Sequence, residues 1–123
     1  AYGSIVGGGD NGCSLHDVEN SSKLKDGDLV LIDAGCELQN YAADITRTFP
    51  INGKFTPEQK MIYDIVLEAQ IAGIDACSAG NQWNEPHNAT VNIITQGLLD
   101  LGIMKGSFNE MVEKKTYTDF DMH

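Results

Sequence analysis

The chain has 123 residues, enough for one domain and too few for two. Eighteen acidic against eight basic residues give a formal net charge of −10, which repels phosphate backbones and anionic headgroups, so no nucleic acid and no membrane surface is expected as a partner. With 41% hydrophobic and 21% charged residues the composition is that of a folded globular chain, and its apolar runs fall far short of the roughly 20 residues that span a bilayer. The N-terminus has no basic region followed by an apolar stretch and a small-residue cleavage site, so the expected compartment is cytoplasmic. Cys13, Cys36 and Cys77 are an odd number without C-x-x-C spacing; neither a disulfide framework nor a zinc knuckle follows, and reduced thiols in packed positions are expected.

Taken in order, Ser4-Ile5-Val6 predicts a short strand that runs into the turn-rich Gly7 to Gly12, after which Cys13-Ser14-Leu15-His16 resumes an extended pattern. A polar stretch from Glu19 to Asp28 carries Asp26-Gly27 as its turn. Leu29-Val30-Leu31-Ile32 is apolar at successive positions, the pattern of a strand buried on both faces. Asp33-Ala34-Gly35 follows, then a second extended segment from Asp44 to Phe49, ended by Pro50. Beyond it the period changes. Thr56 as N-cap, Pro57 at the first helical position and Gln59 as in a capping box announce a helix, with Met61, Ile62, Ile65, Val66 and Ala69 on one apolar face. That helix should fade between Gly73 and Gly80. A second starts near Asn84-Glu85-Pro86, turns Val91, Ile94, Leu98 and Leu101 inward and stops at Gly102. The tail from Thr116 to His123 reads as the beginning of a strand. Strands followed by helices make the fold class α+β.

Asp33 and Asp44 are the candidates for chemistry. If Leu29 to Cys36 and Tyr41 to Phe49 form an antiparallel hairpin turning at Leu38-Gln39, Asp33 and Asp44 are direct cross-strand partners and their carboxylates face each other. Like charges placed so are destabilising, and divalent cations held between oxygen ligands would offset the repulsion. Paired hard cations about 3.5–4 Å apart also support hydrolysis. Oxygen-rich ligation points to manganese or a similar ion more than to structural zinc. On spacing alone a second reading stands, in which both aspartates are exposed at hairpin ends or serve as turn caps.

The blocks Leu31-Ile32-Asp33-Ala34-Gly35-Cys36-Glu37 and Tyr41 to Pro50 closely resemble the metal-binding hairpin of the Xaa-Pro aminopeptidases, members of the pita-bread metallopeptidases together with prolidase and methionine aminopeptidase. The segments Ala1-Tyr2, Ser4 to Gly7, Asn11-Gly12-Cys13, Leu15-His16 and Asn52 to Thr56 are similar to the same family in order and spacing. The resemblance implies a pita-bread fold, a curved antiparallel sheet with helices on one face, and two divalent ions, usually manganese (Mn2+). It implies Asp33 and Asp44 as metal ligands, Asp44 bridging both ions, and His16 as a substrate-binding residue. It also implies His123 as a catalytic histidine that hydrogen-bonds the substrate carbonyl or passes a proton. The family's remaining ligands, one His and two Glu, would lie beyond His123, so residues 1–123 are expected to be a metallopeptidase catalytic domain truncated at its C-terminus.

Some residues depart from the pattern. Asp17 stands where an aromatic commonly follows the pocket histidine, and Ser78-Ala79-Gly80 lacks the Pro that often precedes the corresponding Gly. His87 matches no family role and is expected in solvent, and Arg47 is expected as an ion-pair partner of the carboxylates. The expected activity of the whole enzyme is hydrolysis of the N-terminal Xaa-Pro bond of peptides with proline at the second position, the fragment itself being inactive. A prolidase, or a non-catalytic peptide-binding module of the same fold, is the alternative; retention of both aspartates argues against the module. An incomplete fold leaves sheet edges and an apolar face uncovered, which favours a homo-oligomer.

Overall fold

The computed structural model describes residues 2–14 and 19–120, and the chain divides into two units, Ala1–Glu58 and Gln59–His123. The first unit is built on three antiparallel strands in the order β1-β2-β5: β1 (Ile5–Gly8), β2 (Leu29–Ala34) and β5 (Ile45–Pro50). A small ladder, β3 (Glu37–Leu38) with β4 (Tyr41–Ala42), extends the β2–β5 hairpin towards its tip. Among the described residues of this unit, Ile5, Val30 and Pro50 are buried apolar side chains. The expectation that Leu29 to Ile32 is buried on both faces is corrected: only Val30 is buried, and Leu29, Leu31 and Ile32 are half-buried, because neither face of so narrow a sheet is sealed among the described residues.

The hairpin register also differs from the expected one. Leu38 pairs with Tyr41, so the two-residue turn is Gln39-Asn40 and not Leu38-Gln39. Both turn residues have positive φ, 52° and 68°, as a type I′ hairpin requires. Asn tolerates that conformation far better than Leu does, which is why the turn slides one residue along. Asp33 consequently pairs with Thr46, and Asp44 lies level with Gly35.

The outer edge of β1 is tied down by a side chain. Asn20, with φ 51°, accepts from the Val6 amide at 2.7 Å and donates to the Ser4 carbonyl at 2.9 Å, standing in for a neighbouring strand. Gly9–Cys13 forms a 3-10 turn, so Cys13 is not in an extended segment. Cys13, Cys36 and Cys77 are free thiols as expected, but all three are exposed and none is packed, since each sits in a turn or just past the end of an element.

The second unit contains α1 (Pro57–Ala76, whose first two residues close the first unit), α2 (Glu85–Asp100) and α3 (Phe108–Glu113). Pro57 opens α1 as expected. The Thr56 hydroxyl engages Glu58, whose carboxyl is held below its ordinary value by a hydrogen bond from its own backbone N–H and then by Thr56. α1 and α2 run antiparallel and close: a Cβ on Gly73 would lie 2.8 Å from Thr90 Cγ2, and one on Gly97 would lie 2.7 Å from Ile65. Val91, Met104 and Tyr117 form the buried cluster, with Leu98, Leu99 and Met111 against it. Of the predicted apolar face of α1 only Ala69 is buried; Met61, Ile62 and Val66 stay exposed. The tail is not a strand over its described part: Thr116–Asp119 is a 3-10 turn entered through Lys115 at φ 54°, and it carries Tyr117 into the cluster. Among the described residues no helix is long and apolar enough to cross a membrane.

Candidate metal centre

Asp33 lies near the end of β2, the central strand, and is half-buried; Asp44 lies one residue before β5 and is exposed. They are not directly opposite each other. Residues two apart on a strand share a face, however, so Asp44 sits diagonally across from Asp33 on the side that carries Thr46. What joins them is Tyr2. Its phenolic O–H donates to Asp33 Oδ1 and to Asp44 Oδ1, the latter at 2.9 Å. Hydrogen bonding to Asp33, then desolvation, then hydrogen bonding to Asp44 and the two negative charges push the Tyr2 phenol above its ordinary value, so it is a neutral donor throughout the physiological range.

Gly35 makes this approach sterically feasible. A Cβ there would lie 1.9 Å from the Ala43 carbonyl oxygen and 3.1 Å from Tyr2 Cε1. The Ala43 amide in turn donates to the Cys36 carbonyl at 2.8 Å, fixing the segment that presents Asp44. Two carboxylates close enough to share one small donor can share one small cation, and an all-oxygen donor pair suits a hard ion such as manganese or magnesium better than a soft one. Among the described residues no group of three or more His, Cys, Asp or Glu gathers that could hold a metal ion.

The other candidates fall differently. His16 and His123 lie outside the described residues. His87 is exposed, as expected, beside the fully exposed Trp83. Among the described residues Arg47 makes no ion pair with a carboxylate; its guanidinium donates to the Thr46 carbonyl at 2.7 Å. Tyr2 carries no sequence signal of its own beyond standing in a segment similar to the family's, since its place beside Asp33 depends on the pairing of β1 with β2.

The model of metallopeptidase family M24 matches residues 1–120. The chain belongs to that family. The Xaa-Pro aminopeptidase of Haemophilus influenzae is 52% identical over 123 residues, all of this chain and 29% of that protein. The structure of Pseudomonas aeruginosa aminopeptidase PepP superposes with a TM-score of 0.95 at 56% identity, covering 99% of this chain and 28% of that one. Zinc-substituted Escherichia coli aminopeptidase P in complex with product gives a TM-score of 0.93 at 50% identity, with the same coverage of 99% and 28%. The chain thus spans less than a third of the length of these M24 relatives, and its antiparallel sheet with helices is part of the α+β pita-bread fold.

Proposed function

We propose that this M24 chain is a segment of a metal-dependent Xaa-Pro aminopeptidase, supplying Asp33 and Asp44 as ligands to two divalent ions, manganese by preference. The observation that carries the reading is the meeting of both carboxylates at a single phenolic oxygen in a chain 52% identical to an Xaa-Pro aminopeptidase. Asp33 and the more exposed Asp44 would be the residues of this chain that hold the ions. Divalent ions at such a site polarise a carbonyl and make water nucleophilic at neutral pH. The protein's own part is to orient. The carboxylates fix where the ions stand, while His16 and His123 hold the peptide and stabilise charge growing on the carbonyl oxygen of the bond before proline. Two carboxylates are an incomplete ligand set, so the 123-residue chain alone is expected to release no amino acid from a peptide.

The test is a chimera in which this chain replaces the matching segment of the Haemophilus influenzae enzyme, assayed with Mn2+ for release of the N-terminal residue from an Xaa-Pro peptide. The chimera should be active, and Asp44→Asn should lower activity by more than about 100-fold, beyond the range of changes outside the ligand set itself. Full activity in Asp44→Asn, or in the metal-stripped chimera, would overturn the assignment.

A further inference from the structure

We propose that Tyr2 is a positioning residue of this site: its hydroxyl holds the Asp33 and Asp44 carboxylates side by side, ready for a hard cation. The proposal rests on the metal-site reading above and adds to it a residue that binds no metal itself. Three segments converge here. Tyr2 comes from the lead-in to β1 at one edge of the sheet, Asp33 from the central strand, and Asp44 from the lead-in to β5 at the other edge. The β2–β5 register pairs Asp33 with Thr46 and so sets Asp44 only diagonally across from it on the same face. The shared phenolic donor is the contact that joins the two carboxylates.

The chemistry of that donor matters. A Lys or Arg between the two aspartates would also hold them, but it would cancel charge and compete with the cation. A neutral hydroxyl fixes the oxygens and leaves both negative charges for the metal. The surroundings are built for this placement. Gly35 leaves room for the Tyr2 ring, and the hydrogen bonds that Asn20 donates to the Ser4 carbonyl and accepts from the Val6 amide fix the strand from which Tyr2 extends. Tyr2 is itself 39% exposed, so anchoring a core does not account for its position.

Tyr2→Phe keeps the ring and removes only the hydroxyl. Calorimetric titration with Mn2+ is carried out on the chimera described above, its Asp44→Asn form and its Tyr2→Phe form, together with melting of each in the absence of metal. Tyr2→Phe should weaken Mn2+ binding by about 10–100-fold, as loss of a partner to a ligating carboxylate does. Its metal-free melting midpoint should be unchanged, and activity should recover at saturating Mn2+. Binding within twofold of the parent, while Asp44→Asn abolishes it, would overturn the role of Tyr2 and leave the metal site standing. Binding indifferent to both substitutions, or absent from the chimera, would overturn the metal site and Tyr2 with it. A metal-free midpoint that falls along with affinity would make Tyr2 a structural residue and also refute the proposal.

Discussion

Gly35→Ala offers the sharpest connection between backbone packing and the candidate metal centre. The added methyl would stand 1.9 Å from the Ala43 carbonyl oxygen and 2.9 Å from its carbonyl carbon, where side chains essentially never come closer than 3.0 Å. Both atoms are backbone, so no side-chain rotation relieves the clash. The two strands must separate by at least about 1 Å, twice the roughly 0.5 Å within which a functional constellation has to be held. The segment that moves carries Asp44 as its next residue, and the same methyl would press on Tyr2 Cε1 at 3.1 Å. Overpacking of this kind costs about 1–3 kcal/mol of stability.

The more informative loss is functional. With Asp33 held in the central strand and Asp44 displaced from it, the carboxylates can no longer share one small partner. Mn2+ affinity in the chimera should therefore fall nearly as far as in Asp44→Asn, although every proposed ligand is intact. Urea denaturation and calorimetric Mn2+ titration of the same preparations measure the two effects separately. Gly35→Ala with parental Mn2+ affinity would show that the close approach at Ala43 does not set the position of Asp44, and the geometric argument would fail.

Two further outcomes follow from the packing. Thr95 is fully buried in α2 and its hydroxyl has no hydrogen-bond partner among the described residues, so Thr95→Val, which keeps the shape and removes the unpaired group, should stabilise the chain by about 1–2 kcal/mol in urea denaturation; an unchanged or lower midpoint would contradict this. Asn20→Gly keeps the positive φ available but removes both hydrogen bonds to the edge of β1, so the Val6 amide should exchange several-fold faster with a stability loss of about 1 kcal/mol, and unaltered Val6 exchange would refute the strand-substitute role.

The convergence of Asp33 and Asp44 was legible from the sequence even though the register was not, and the reason is periodicity. Placing the turn at Leu38-Gln39 makes the two aspartates direct partners; the observed turn at Gln39-Asn40 shifts the pairing by two residues, and an even shift leaves every side chain on its face. An odd shift would have put the carboxylates on opposite sides of the sheet. The correct turn was itself readable, because a two-residue I′ turn needs positive φ at both central positions, which Asn40 accepts and Leu38 resists. The helices were legible for a similar local reason: Pro57 and the glycine at 102 mark ends that depend only on neighbouring residues. Tyr117 and Tyr2 were not. Tyr117 turns inward because Lys115 takes a left-handed conformation that nothing in Lys itself favours, and Tyr2 reaches Asp33 only after residues some 30 positions apart have paired. What a sequence states about a site is thus what its local periods dictate, and the contact that would orient the ligands is the part written in long-range pairing.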